Sequence, residues 1–247
     1  MCNLKVFEIE KICYSYPDGT KALNDLSFSV SEGDVLGIAG ANGSGKSTLL
    51  MLMMGCLIPS GGRITYYGKS FDRDTVRSMR KETGLLFQDP DDQLFLPTVW
   101  EDVAFGPRNL GLSENEVASR VEEALHATEI EELSKKAPWK LSGGEKTLVA
   151  LAGLFAMKPK TILLDEPTSG LDPRSRRRLI DIIGKTDMTA VIATHDLDMV
   201  LDVCKRVIIM NNGRIESDGE VPGVLCDIEY MRSCGLELPL SVAGRSS

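Results

Sequence analysis

One nine-residue run constrains this chain more than its composition does: Gly40-Ala41-Asn42-Gly43-Ser44-Gly45-Lys46-Ser47-Thr48. It follows Val35-Leu36-Gly37-Ile38-Ala39, which is apolar on both faces, as a parallel strand covered by helices must be. It precedes Leu49, Leu50, Leu52 and Met53, which predict a buried helix ending near Gly55. The spacing G-x-x-x-x-G-K-[ST] lets backbone N–H groups turn inward around phosphate oxygens, and the helix that follows aims its positive end at them. In that arrangement Lys46 reaches the β- and γ-phosphates and the Ser47 hydroxyl ligates Mg²⁺. An α/β fold built around a phosphate loop is therefore the expectation.

Two further runs carry chemistry. Thr161-Ile162-Leu163-Leu164-Asp165-Glu166 reads as a buried strand ending in adjacent carboxylates. An acid at such a strand end is the magnesium-holding arrangement of phosphate-loop NTPases, which assigns Asp165 to the metal shell. Glu166, facing the other way, is placed to polarise a water for attack on the γ-phosphate. Leu141-Ser142-Gly143-Gly144-Glu145 opens a predicted helix that runs on through Val149 to Met157, and its glycines and serine form a second anion site. One phosphate chain does not need two such sites, so the second is expected to serve a nucleotide held by another subunit.

Local signals order the rest. Residues 4–9 and 26–30 alternate like half-buried strands, and Ala190 to Thr194 read as another buried strand. Asp172-Pro173 fits a helix cap followed by proline at the first helical position, and Asn211-Asn212-Gly213 marks a hairpin. Ser113 to Glu116 resembles a capping box, with helices expected over 113–135. Arg174, Arg176, Arg177 and Arg178 lack flanking aromatics and read as a solvated helix face.

The formal net charge of −8 excludes a protein that coats nucleic acid, because phosphate-backbone binding needs clustered Lys and Arg. The charge is uneven: residues 88–157 hold 13 acidic and 6 basic side chains. Six scattered cysteines with no Cys-x-x-Cys pair and only two histidines leave no zinc spacing, and read as thiols in a reducing cytosol. Signal-peptide regions and long apolar runs are not seen, so a cytosolic chain is expected.

Together these motifs resemble the nucleotide-binding subunit of an ATP-binding-cassette (ABC) transporter over roughly residues 4–220. The set is the phosphate loop 40–48, Gln88, the Leu-Ser-Gly-Gly-Glu signature, Asp165-Glu166, Ser169-Gly170-Leu171-Asp172 and His195. The resemblance implies a P-loop NTPase core with a mostly parallel sheet, an N-terminal antiparallel β portion and an inserted helical subdomain. The core would comprise 1–87 and 158–220, the signature subdomain 88–157, and a short C-terminal extension 221–247. It also implies a head-to-tail dimer with two ATP molecules, each between one protomer's phosphate loop and the other's signature. By that resemblance Gly40, Asn42, Gly43, Ser44, Gly45, Lys46, Ser47 and Thr48 bind nucleotide, and Tyr16 stacks on adenine, with Tyr14 as its competitor. Ser142, Gly143 and Gly144 hold the opposing γ-phosphate, and Asp172 crosses the interface. Gln88 touches Mg²⁺ and the attacking water, and His195 clamps the γ-phosphate. Lys46, Gln88, Glu166 and His195 form the catalytic set, with Ser47, Gln88 and Asp165 on the metal. Leu148 departs from the family, which usually carries arginine there.

Residues 87–112 are similar to the ATPases of energy-coupling-factor importers, including cobalt and nickel uptake systems. That likeness implies a motor on the cytoplasmic face of the cell membrane. Its partners would be a second ATPase subunit (the same chain or a close paralogue), a membrane coupling protein and a substrate-binding membrane subunit. Asp89, Asp91 and Asp92 are expected to face basic coupling helices. Cobalt or nickel is the first expectation for the cargo, a vitamin the second. Two rival classes are a soluble ABC ATPase acting as an assembly or repair scaffold, and an exporter subunit. Neither explains the 87–112 pattern in a single cassette of this length.

Overall fold

The computed structural model describes residues 4–234 and 236–243. Strands run in chain order as β1 (Lys5–Ser15), β2 (Lys21–Ser31), β3 (Val35–Ala39), β4 (Gly61–Tyr66), β5 (Lys69–Ser70), β6 (Thr83–Leu86), β7 (Thr161–Asp165), β8 (Thr189–Thr194), β9 (Arg206–Asn211) and β10 (Arg214–Glu220). The helices are α1 (Lys46–Met53), α2 (Arg73–Met79), α3 (Val99–Asn109), α4 (Glu114–Ala127), α5 (Gly143–Ala156), α6 (Pro173–Gly184), α7 (Leu197–Val203), α8 (Val221–Leu225), α9 (Ile228–Ser233) and α10 (Leu240–Ala243). They form two compact units, one of residues 1–80 and 187–247, the other of residues 81–186.

In the first unit, β2, β1, β4 and β5 make an antiparallel sheet in that order. β1 extends well past the six residues that alternate in sequence. Its register against β2 shifts between Ile9 and Ile12, and Lys11 sits at φ +49°, so a bulge reverses which residues face inward. A period-2 reading loses the strand at that point. The remaining strands of this unit are ordered β10-β9-β3-β8, with β3 parallel to both β8 and β9. Leu36, Ile38 and Ala39 are fully buried, as are Ala190 to Ala193. The Asn212-Gly213 turn joins β9 to β10 with both residues at positive φ, +46° and +72°, which accounts for its Asn-Gly sequence.

In the second unit β6 and β7 pair in parallel, and every residue of both strands is buried. Helices α3, α4 and α5 pack on one another, with Val103, Val117, Val121, Leu125, Val149 and Leu151 in their core. The helical insert read over 88–157 lies inside this unit. Helix α4 starts on the expected capping box at Ser113 and stops at Ala127; the later part of 113–135 adds only a short 3-10 turn at Glu131–Leu133. Leu148 is 3% exposed, so an arginine at this position would carry its guanidinium into the interior. The five described cysteines form no disulfide, and Cys2 lies outside the described residues. No described helix is long and apolar enough to cross a membrane.

Candidate nucleotide site

The first unit assembles the phosphate loop. β3 ends at Ala39 and α1 begins at Lys46, so residues 40–45 must turn within six positions. Gly40 permits the closest approach: a Cβ there would sit 2.3 Å from the Met210 carbonyl oxygen and 2.7 Å from Ser44 Oγ. Gly45, at φ +103°, is the residue before α1, and no side chain caps the helix. A Cβ at Gly45 would meet the Ala22 carbonyl oxygen at 2.7 Å. Lys46 Nζ donates to the carbonyls of Gly40 at 2.9 Å and Ala41 at 3.2 Å, so the loop curls around its own ammonium group. Ser44 Oγ is fully buried with no hydrogen-bond partner, an orphaned polar atom in a loop shaped for phosphate oxygens. Asn42, Gly43 and Ser47 are exposed, while Thr48 is buried.

Tyr16 and His195 reach the same region by different routes. Tyr16 opens the β1–β2 turn, where Gly19 N–H donates to its carbonyl oxygen at 2.9 Å. Its hydroxyl lies 2.9 Å from Thr48 Oγ1, which fastens the ring to the helix that follows the phosphate loop. The Tyr14 ring stands perpendicular to it with centroids 5.1 Å apart and is 9% exposed, whereas Tyr16 is 39% exposed. Of the two rings, Tyr16 has a face to offer. Ala39 is in register with Thr194, so Gly40 and His195 leave the same edge of the β3–β8 pair. His195 is exposed there, ahead of Asp196, whose carboxylate caps α7.

The second unit carries the carboxylates and the signature. Leu86 is in register with Leu164, so the segment leading to Gln88 and the Asp165-Glu166 pair leave one edge of the β6–β7 pair. Gln88 is exposed; Asp165 and Glu166 are 6% and 5% exposed. Glu166 takes φ +45°, a left-handed backbone that costs an ordinary residue about 1–3 kcal/mol and concentrates at functional positions. Ser142 caps α5 in a complete capping box. Its hydroxyl donates to Glu145 Oε2 at 2.9 Å, its N–H donates to the same oxygen at 2.8 Å, and Glu145 N–H donates back to Ser142 Oγ at 3.3 Å. The Ser142 N–H holds the Glu145 carboxyl below its usual range.

Gly144 lies against α6: a Cβ there would be 2.7 Å from Ser175 Oγ. Ser175 in turn donates to Asp172 Oδ2, and Asp172 Oδ1 accepts from the N–H groups of Arg174 and Ser175. Asp172 is thus the expected helix cap, with its carboxylate committed to its own helix. Arg178 departs from the solvated face read for its cluster, since it donates to the carbonyls of Thr128 and Glu129.

Sequence reasoning missed the ties around Gln88. Gln93 Oε1 accepts from Phe87 N–H and its Nε2 donates to the Leu85 carbonyl, both at 2.9 Å. Asp89 caps the turn Pro90–Asp92, and Asp91 pairs with Lys146. Two of the three acids expected to face a partner are therefore engaged within the chain. No pattern in the sequence marks these pairings, because they join residues that only folding brings together.

A phosphate loop between a buried parallel strand and a helix defines a P-loop nucleoside triphosphatase. The sequence profile of the ABC transporter family matches residues 23–169, and the chain belongs to that family. It is an ABC ATPase, which converts ATP and water to ADP and phosphate. It is 42% identical over 241 residues to the energy-coupling factor transporter ATP-binding protein EcfA of Methanococcus maripaludis, covering 96% of this chain and 87% of the relative. Its fold matches cbiO1 of Clostridium perfringens, described as part of the ABC transporter complex cbiONQ, with a TM-score of 0.83 and 39% identity over 98% and 99% of the two chains. It also matches a dimeric ATP-binding cassette in a post-hydrolysis state bound to ADP and Pi, with a TM-score of 0.80 and 26% identity over 87% and 98%.

Proposed function

We propose that this chain is the ATP-hydrolysing motor of an energy-coupling-factor importer, bound peripherally at the cytoplasmic face of the membrane. The observation that carries this reading is the likeness to EcfA and cbiO1 along almost the whole chain. Cobalt or nickel is the proposed cargo ahead of a vitamin. The working form is a head-to-tail dimer, of this chain with itself or with a close paralogue. It pairs with a membrane coupling protein and a substrate-binding membrane subunit.

The family likeness and the chemistry of each side chain support the following roles. Backbone N–H groups of Gly40 to Thr48 and the Lys46 ammonium hold the phosphates, and Tyr16 stacks on adenine. Glu166 accepts a proton from the attacking water, while Gln88 and His195 orient that water and the γ-phosphate. Ser142, Gly143 and Gly144 meet the γ-phosphate of the partner's nucleotide, and Asp172 fixes the turn that faces the partner. Ser47, Gln88 and Asp165 offer only hard oxygen donors, which suits Mg²⁺. Among the described residues no group of three or more His, Cys, Asp or Glu side chains is placed to hold a metal alone. When bound, Mg²⁺ neutralises charge on the β- and γ-phosphate oxygens.

The 88–157 insert also offers the partner surface. Phe95 and Phe105 are 63% and 45% exposed and meet edge-to-face at 5.1 Å. Two exposed phenylalanines beside the acidic Gln88 segment suit a partner helix with apolar and basic side chains. Glu166→Gln should keep ATP binding while turnover falls about a hundredfold or more, read by phosphate release. The tagged chain should co-purify with two polytopic membrane proteins; isolation with soluble proteins alone would overturn the importer reading.

A further inference from the structure

The turn after Gln88 and the signature helix are joined by one ion pair. Lys146 Nζ donates to both carboxylate oxygens of Asp91, at 2.6 Å and 2.8 Å. The lysine side chain is only 16% exposed, against 61% for Asp91, so the ammonium is drawn in towards the protein and away from water. Both residues lie within the second compact unit.

What each end is fastened to gives the pair its significance. Asp91 lies on the Pro90–Asp92 turn, where Asp89 Oδ1 accepts its N–H at 2.9 Å. The far side of this turn is tied by the two Gln93 hydrogen bonds to Leu85 in β6 and to Phe87 just after it. Gln88 therefore projects from a short closed loop whose geometry is fixed at its base. At the other end, Lys146 N–H donates to the Ser142 carbonyl at 2.9 Å, closing the first turn of α5. Lys146 directly follows Ser142-Gly143-Gly144-Glu145. One side chain thus connects the Gln88 loop to the residue that completes the signature turn.

We infer that Lys146–Asp91 is a positioning pair, by which the loop bearing Gln88 sets the Ser142–Gly144 turn for the partner's nucleotide. The inference rests on the signature acting across a dimer. With its Asp91 end open to water, the pair contributes little to folding stability. Its effect belongs in ATP-driven closure of two protomers, where a coupling between sites is typically worth a factor of about 5–150.

The test uses the full chain carrying Glu166→Gln and reads ATP-driven dimerisation by sedimentation, with binding of a fluorescent ATP analogue to the monomer as the control. Lys146→Met should raise the ATP concentration for half-dimerisation about fivefold or more, with unchanged analogue binding and an unchanged melting temperature. Asp91→Asn, which keeps the N–H bound by Asp89, should do the same and serves if the methionine variant folds poorly. Lys146→Arg should restore dimerisation, as should the reversed pair Asp91→Lys with Lys146→Asp. Dimerisation that is unchanged in both single variants overturns the link and leaves the dimer reading standing. A failure of the parent Glu166→Gln chain to dimerise overturns both. A fall in melting temperature equal in all variants, with no rescue, makes the pair merely structural and overturns the inference.

Discussion

Helix α1 begins behind Gly45, which has no side chain to cap it, whereas α5 begins behind Ser142, whose cap is returned by Glu145. Both are glycine-bearing helix starts, and a helix start of either kind can present N–H groups to an anion. The phosphate loop is prepared for its ligand: Lys46 folds back on the loop's own carbonyls, and Ser44 Oγ is buried without a partner. The signature turn is already satisfied by a carboxylate of its own. A phosphate meeting Ser142 must take the hydroxyl hydrogen from Glu145, against that negative charge. Under the proposed function, the difference teaches that one helix start would bind nucleotide on its own, while the other would engage only when dimer closure supplies the rest of the interaction.

The largest expected effect comes from breaking the glycine requirement on one side of this comparison. Gly40→Ala places a Cβ 2.3 Å from a backbone oxygen that cannot swing away. Overpacking of about 1–3 kcal/mol, taken from the bound loop, should weaken monomer ATP binding about ten- to a hundredfold. A Cβ on Gly143 meets nothing within 4 Å, so Gly143→Ala should leave unfolding stability within about 0.5 kcal/mol. Calorimetry and denaturant unfolding check the pair, and like behaviour of the two glycines would erase the contrast.

A smaller effect sharpens the contrast. Glu145→Gln keeps a capping side chain but removes the charge that competes with phosphate. ATP-driven dimerisation should tighten about twofold to fivefold, as expected of a charge worth 0.3–1 kcal/mol at a helix N-terminus. The same carboxylate has a pH signature. Its folded pKa is depressed by the Ser142 N–H, so its stabilisation is present above the usual glutamate pKa and is lost as pH falls through the folded value. The glutamine variant should lack that acid-limb loss in denaturant unfolding between neutral pH and pH 3.

Much of the phosphate loop was legible in the sequence, because glycine spacing encodes backbone geometry that local chemistry enforces. The same holds for the Asp172-Pro173 cap, the Ser113 capping box and the Asn212-Gly213 turn. What stayed hidden was non-local or aperiodic. β1 runs on past Ile9 because a bulge at Lys11 breaks the alternation. The Lys146–Asp91 pair joins positions 55 apart, and Gly144 meets Ser175 across two helices. The three-acid run of Asp89, Asp91 and Asp92 looked like one surface, yet two of its members already have tasks inside the chain. Charge counts give the sign of a region and say nothing about which carboxylates remain available.

The central claim is that the two helix starts act on one nucleotide from opposite protomers, and mixing two disabled chains tests it most directly. In a Glu166→Gln background, Lys46→Ala disables the phosphate loop, and Ser142→Asp keeps the helix cap while setting a carboxylate against phosphate. Neither chain alone should retain labelled ATP in a dimer. Their mixture should form dimers that retain it, because one intact phosphate loop then faces one intact signature. If the mixture retains no more ATP than the separate chains, the two turns do not complete each other across the dimer and the account is contradicted.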